Sequence, residues 1–290
     1  MILAFDIGGS RIKAAAWDGA LRPLGEVATP LDDKAAFTAA IAGFAAGLAP
    51  KGIAVSIAGV VDPVTGVGKV ANIPAIDGLA LGSELESVTG LPVLVLNDAD
   101  CFALAETFQG AGRGHGSVFG VILGSGVGGG LVIDGRLVTG AGGYAGEWGH
   151  GPVIRGAYAF PCGCGQVGCV DTVGSARGLE HLHSARRGEH LGAETIVARW
   201  QAGDDAAGAT MALWRDLVAG PLALVLNVVG ASIVPVGGGL SLGPGLVAFL
   251  DQAVRSRVLR ATSRALVVPA ECGADAGLLG AAMAGEAAWA

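Results

Sequence analysis

The chain has 290 residues, enough for one large or two medium domains, and it is rich in glycine (51 residues) and poor in charged residues (15%). Its net charge of −7 argues against an electrostatic nucleic-acid surface. No apolar run of about 18 residues is free of glycine breaks and charges, so no membrane span is expected, and the odd total of five cysteines does not describe a disulfide scaffold.

In chain order, Ile2 to Phe5 reads as a short buried strand, Asp6 to Ser10 as a turn and Ile12 to Trp17 as a second strand, closed by a tight turn at Asp18 and Gly19. This start reaches a carboxylate at once and has no basic segment, so it is not a secretory signal; with the unpaired cysteines it predicts a cytoplasmic protein. Helical periodicity follows over 32–49, then a strand over Ile53–Ile57, a helix over Leu79–Thr89 and a strand over Pro92–Leu96 ending in Asn97 and Asp98. Residues 99–109 read as a helix. The glycine-rich stretch Gly110–Gly116 is the expected boundary between two domains, 1–112 and 113–290.

The pattern then restarts: strand Ser117–Leu123, glycine-rich loop Gly124–Gly130, strand Leu131–Ile133, turn Asp134–Gly135. It repeats the opening hairpin, so the two halves read as related modules. Residues 174–230 are expected to be mainly helical, with Leu217–Val236 a buried helix followed by a buried strand. Strand Ile233–Val236 leads into Gly237–Gly239, and an alanine-rich helix ends the chain. His181, His183 and His190 read as exposed helix or loop residues, and Cys101 and Cys272 as small core residues.

Three glycine-rich loops, Asp6–Ser10, Gly124–Gly130 and Gly237–Gly239, each follow a buried strand. Without Cβ atoms, backbone N–H groups can approach an anion closely, which suits nucleotide phosphates. Ser10 and Ser125 add hydroxyls and Arg11 a nearby cation; Asp6 repels bare phosphate and suits Mg²⁺ instead. None of the loops matches a P-loop or a dinucleotide fingerprint. Asp98, at the end of a strand, is placed where a general base could sit, but from these residues alone a helix N-cap is the better reading. His150, Cys162, Cys164 and Cys169 supply one imidazole and three thiolates within twenty residues, the ligand set of a closed structural zinc site.

Together these motifs resemble the ROK family (repressors, open reading frames and sugar kinases) of the hexokinase–actin superfamily, in order and over essentially the whole chain. Asp6–Arg11 resembles its first phosphate motif and Leu123–Gly130 its second. Val236–Gly239 resembles the adenosine motif, Asn97–Asp100 the motif that carries the catalytic base, and Glu147–Cys169 the zinc motif. Serine stands for the usual threonine at 10 and 125, Asp100 for a common asparagine, and Asp171 for a usual glutamate.

The resemblance implies an α/β, two-domain actin/hexokinase-like (ribonuclease H-like) fold with an interdomain cleft, the final helix (about 277–290) packing back on the N-terminal domain. It implies an ATP-dependent kinase acting on a hexose hydroxyl, at O6, with Asp98 as base. Asn72, Asn97, Asp98, Glu147, His150 and Asp171 would contact the sugar. Asp6, Gly8, Gly9, Ser10, Arg11, Gly124, Ser125, Gly126 and Gly128 would serve the phosphates and Mg²⁺, and Gly237, Gly238 and Gly239 the adenosine. His150, Cys162, Cys164 and Cys169 would hold zinc. A homodimer is also implied, and no nucleic-acid or membrane partner. Ala71–Ala75, Asn97–Glu106 and Cys162–Cys169 look most like members acting on N-acetylglucosamine, whereas Glu147–Pro152 looks like fructokinase and mannokinase members. Glucose and N-acetylmannosamine, substrates of further members, stay open as well. A sugar-responsive regulator without kinase activity is a remote reading, since the family's repressors carry an N-terminal helix-turn-helix ahead of the first motif.

Overall fold

A computed structural model describes all residues, 1–290. The first half is built on β1 (Ile2–Ile7), β2 (Arg11–Trp17), β3 (Leu21–Ala28), β4 (Ile53–Ile57), a small ladder of β5 (Val60–Val61) and β6 (Gly68–Lys69), and β7 (Val93–Asn97), with helices α1 (Lys34–Ala45), α2 (Leu81–Thr89) and α3 (Asp98–Phe108). The second half has β8 (Ser117–Leu123), β9 (Val127–Ile133) and β10 (Arg136–Val138), then α4 (Asp171–Gly174), α5 (Ala176–Arg187), α6 (Ala193–Gln201) and α7 (Asp205–Val229). β11 (Val234–Gly237), α8 (Leu246–Arg255), β12 (Val267–Pro269) and α9 (Ala276–Ala288) complete it.

The two main sheets have the same topology. Their strand orders are β3-β2-β1-β4-β7 and β10-β9-β8-β11-β12, an antiparallel meander followed by two parallel strands in each. The repeat expected from sequence is therefore a repeat of architecture. β1 and β4 are buried on both faces and apolar apart from Asp6 and Ser56, because both faces of the sheet are covered there.

The strand β3 is not expected from sequence, for a local reason. Its Pro23 and Gly25 read as breakers and its side chains are largely exposed, so no alternation shows. An edge strand tolerates both residues, and Leu24 bulges out where the register to β2 shifts.

Helix ends follow their caps. Asp33, Asn97, Ser175 and Asp204 accept backbone N–H groups at the starts of α1, α3, α5 and α7, and Gly90, Gly188 and Gly230 end α2, α5 and α7 in the left-handed conformation. α7 is long and apolar enough to cross a membrane by length and composition, yet Trp214, Val218, Leu222 and Leu226 are buried in the second core.

α9 returns to the first half. Leu278, Ala281 and Ala282 pack with Ile2, Ala4 and Ala54, and the Trp17 indole donates to Glu286 at 3.0 Å. α3 lies between α9 and the second sheet. A Cβ at Gly280 would stand 1.8 Å from the Cys101 carbonyl oxygen, and one at Gly130 2.5 Å from that of Ala99. Contact that close fixes the helix that carries Asp98.

His183 corrects its expectation. It is buried, with Nδ1 3.0 Å from the Thr210 hydroxyl and Nε2 3.6 Å from Glu189; His181 and His190 are exposed as expected. Cys101 is a core residue and Cys272 a half-buried one.

Candidate active site

β1 delivers Asp6 opposite Ser56 of β4, and the Ser56 hydroxyl donates to its Oδ1 at 3.0 Å. Burial raises the Asp6 carboxyl, with the Ser56 bond opposing. Gly277 of α9 faces the same carboxylate, where a Cβ would stand 2.5 Å from Oδ1. After Ile7 the chain turns through Gly8, Gly9 and Ser10, closed by the Gly8 N–H to the Arg11 carbonyl at 3.0 Å. The backbone at Gly9 comes up against Asn72, so the first glycine-rich loop and that sugar-site candidate are neighbours. The Arg11 guanidinium pairs with Glu26 on β3 at the exposed edge of the sheet.

The ambiguity at Asn97 and Asp98 resolves into a division of labour. Asn97 is the cap: its Oδ1 accepts from the N–H groups of Ala99 at 2.7 Å and Asp100 at 3.3 Å, while Nδ2 donates to the Gly59 carbonyl at 2.8 Å. That side chain is a structural anchor, and capping is therefore not the role of Asp98. Asp98 occupies the first helical turn and accepts only the Ala99 N–H, at 2.9 Å. Burial pushes its carboxyl up to about 6; the Ala99 N–H opposes this, and the negative charges of Asp6 and Glu147 add to it. A carboxylate poised there can take a proton near neutral pH. Asp100, in the same first turn, is buried with Oδ1 unpartnered, and burial followed by the charges of Glu147 and Asp98 raises it to about 7.

The second glycine-rich loop is shorter than the sequence suggests. Only Gly124, Ser125 and Gly126 form the turn, since β9 starts at Val127. Gly128 is thus corrected from a loop residue to a strand residue whose carbonyl accepts the Trp148 indole N–H at 2.9 Å. Gly129 and Gly130 are packing glycines: a Cβ at Gly129 would meet Trp148 at 2.7 Å. The loop itself is held by the Ala176 N–H on the Gly124 carbonyl (2.8 Å), by Arg177 on the Ser125 carbonyl (2.8 Å) and by Asp171. Asp171 Oδ1 accepts the Val127 N–H at 2.7 Å, so one oxygen of this sugar-site candidate is held at the start of β9, directly after that loop.

Glu147 and His150 connect the acidic cluster to the thiols. His150 Nε2 is 3.8 Å from Glu147 Oε2, and its Nδ1 is 3.6 Å from Cys162 Sγ. Burial raises the Glu147 carboxyl, His150 opposing and Asp171 adding to it. The thiols lie on a tight knuckle, closed by the Cys162 N–H to the Gln166 carbonyl (2.8 Å) and by Gly165 and Gly168 at positive φ. The four donor atoms all fall within 4.8 Å of one another, and Cys164 and Cys169 sulfurs are 3.6 Å apart. A tetrahedral ion with Zn–S of about 2.3 Å and Zn–N of about 2.0 Å needs donors roughly 3.5–3.8 Å apart, so this set fits zinc. The Gln166 N–H lowers the Cys164 thiol to about 7, toward the ligating thiolate.

Asp6 and Asp98 line a cavity of about 440 Å³ with Gly237–Gly239, Ser241, Phe102 and Pro269. Within the triplet, Gly237 clears Phe102, Gly238 has φ of 90° against Leu123, and Gly239 is open to the cavity. Gly239 also borders a second cavity of about 690 Å³ between α6 and the segment after β11, lined by Ala193, Glu194, Val197, Gln201 and Leu240. These lining residues carry no signal in the sequence. They come from separate elements, and small apolar residues at helical spacing look like core.

The sequence profile of the ROK family matches residues 2–287. The chain is 36% identical over 239 residues to the N-acetyl-D-glucosamine kinase of Pasteurella multocida, covering 79% of each chain. Its fold is similar to a ROK hexokinase from Thermus thermophilus (TM-score 0.85, 31% identity, 97% of this chain and 96% of that one). It is similar too to a ROK family glucokinase from Streptomyces griseus in complex with glucose and AMPPNP (TM-score 0.79, 29% identity, 98% of each chain). Both structures share the actin/hexokinase-like arrangement of paired sheets, and with a family match across nearly its whole length the chain belongs to the ROK family.

Proposed function

We propose that the protein is an ATP-dependent sugar kinase that phosphorylates the O6 hydroxyl of a hexose, N-acetyl-D-glucosamine being the preferred substrate. The observation that carries this is the division of labour at the start of α3. Asn97 caps the helix, so Asp98, whose carboxyl is raised to about 6, gives one oxygen to the Ala99 N–H and keeps the other open on a cavity shared with Asp6 and Gly237–Gly239. The hydroxyl gives its proton to Asp98 as its oxygen forms a bond to the γ-phosphorus; the bond from that phosphorus to the β,γ-bridging oxygen breaks, and ADP leaves. Little covalent chemistry is left for the protein, so positioning and charge neutralisation supply most of the catalysis.

Asp6, held by Ser56, is the residue placed to hold Mg²⁺, which neutralises phosphate charge when bound. The N–H groups of Gly9, Ser10, Ser125 and Gly126, which are not used within their own turns, suit phosphate oxygens, and the cavity against α6 has the volume and apolar walls an adenine needs. His150, Cys162, Cys164 and Cys169 hold a structural zinc ion. With Nδ1 on the thiol side, Nε2 of His150 is left to the sugar and Glu147, so the metal sets that ring's orientation. Asn72 and Glu147 complete the sugar contacts, and Asp171 reaches them through its second oxygen. The chain works as two lobes, 1–112 and 113–290, closing over the cleft. It acts in the cytoplasm as a homodimer, the exposed Leu224 and Val228 of α7 offering an apolar surface for a second copy.

The test is a coupled ADP-release panel with Mg-ATP and N-acetylglucosamine, N-acetylmannosamine, glucose, mannose or fructose. N-acetylglucosamine is expected to give the highest kcat/KM. Higher values with fructose or mannose would move the assignment to those sugars, and sugar binding without ADP release would leave only a sugar-responsive regulator.

A further inference from the structure

Only two segments join the halves covalently if α9 is counted with the sheet it packs on. Residues 109–116 lead from α3 to β8, and residues 270–275 lead from β12 to α9. One buried side chain holds both. Glu106, in the last turn of α3, is fully buried, and its carboxylate accepts the N–H of Ala111 (2.9 Å) from the first crossing and those of Glu271 (3.0 Å) and Cys272 (2.8 Å) from the second. Its main-chain carbonyl accepts two more donors of the first crossing, Gly110 at 3.2 Å and Gly112 at 2.9 Å.

A buried anion near a helix C-terminus opposes the helix dipole, so this position is unfavourable unless strong donors compensate. The compensation comes from backbone N–H groups. Arg113 of the first crossing pairs with Glu271 of the second at 3.9 Å, but both side chains are exposed, so that pair adds little to the buried contact. The surroundings leave no slack: a Cβ at Gly110 would stand 2.1 Å from Glu106 Oε2, and one at Gly112 2.9 Å from the Glu106 carbonyl oxygen. Beyond the clasp each crossing has a glycine at positive φ in open space, Gly114 and Gly273, where a backbone rotation meets no neighbour. Glu106 also lies two turns along α3 from Asp98.

We propose that Glu106 is the pivot clasp of lobe closure, a positioning residue that makes both crossings turn together about the C-terminal end of α3. Sugar bound on one side of the cleft and nucleotide on the other are then coupled through one rotation. This rests on the kinase reading for its two ligands.

The experiment is calorimetric titration of full-length protein with N-acetylglucosamine, with and without Mg-AMPPNP. Wild type is expected to bind the sugar about fivefold or more tighter with the analogue present. Glu106→Gln, which turns an NH₂ toward backbone N–H groups, should bring that ratio close to one, with kcat lower by about tenfold. Gly110→Ala, which presses on the same carboxylate, should do likewise. Ile41→Val, a core change remote from the hinge, should lower Tm and keep the ratio. Wild-type coupling in the two clasp variants overturns the proposal and leaves the kinase reading intact; a wild type that binds neither ligand removes both. If the clasp variants do not fold, hydrogen exchange on wild type decides. The amides of Ala111, Glu271 and Cys272 should slow together when both ligands are added, and protection of one crossing without the other overturns the clasp.

Discussion

Asp171 Oδ1 accepts the backbone N–H of Val127 at 2.7 Å, and this one bond joins the segment that follows the cysteine knuckle to the start of β9, directly after the second glycine-rich loop. A carboxylate one methylene shorter than glutamate reaches that N–H because the Asp171 N–H is itself fixed on the Gly149 carbonyl at 2.9 Å. Gly126 makes room, since a Cβ there would press on Oδ1 at 3.0 Å.

Removing that link should therefore weaken the nucleotide side as well as the sugar side. Asp171→Ala is expected to raise the KM for ATP by roughly tenfold to a hundredfold, the value of one charge-assisted hydrogen bond. Asp171→Asn, which keeps an acceptor, should do less. Steady-state kinetics with each substrate varied in turn checks this, and a change confined to the sugar KM would contradict it.

Asp98 should govern the acidic limb of the pH profile. Its carboxyl is raised to about 6, and the ionised form is the base, so kcat/KM should rise about tenfold per unit below pH 6 and level off above about pH 7. Asp98→Asn should lower kcat by roughly 10³-fold with sugar affinity largely kept, since general-base loss costs about 10²–10⁴. Near-normal turnover in that variant would sink the base assignment.

Asp100 should make the fold less stable as pH rises. Its folded value, about 7, lies above the ordinary 3.8, so the native state holds a proton that the unfolded chain releases between those values. Stability is full below pH 4, falls through pH 7 and is flat beyond. Asp100→Asn leaves no charge to bury and should gain roughly 2–4 kcal/mol at pH 8, about half of that or less at pH 5 and little below pH 4. Thermal melts of both proteins from pH 5 to 9 test it; a Tm difference that does not grow with pH would refute the account.

Metal analysis should find about one zinc per chain, the closed four-ligand stoichiometry. Cys164→Ser, or prolonged chelation, should release the ion and raise the KM for sugar by about tenfold or more, because His150 loses the bond that orients it. A zinc-free protein with unchanged sugar KM would reject the site.

The elements that could be read from sequence are those whose cause is local. β1 and β4 are apolar runs, the hairpins announce themselves at Asp18–Gly19 and Asp134–Gly135, and four cysteine and histidine ligands within twenty residues need no partner from elsewhere. Hidden elements lacked such a cause. The edge strand β3 shows no alternation, and the short β12 is completed by its neighbours.

The family, the duplicated sheet, the glycine-rich loops and the cysteine–histidine knuckle could all be read from short patterns, because each pattern is complete in its own residues. Only the tertiary structure decided which side chains are free to act. It made Asn97 the cap and left Asp98 available, tied Arg11 to Glu26, placed Gly128 in a strand under Trp148, and buried His183. It also brought Glu106 onto two crossings that lie far apart in the chain. A hydrogen bond or an ion pair is a statement about two groups, and when the second comes from a distant element the pattern around the first cannot reveal whether it is already occupied.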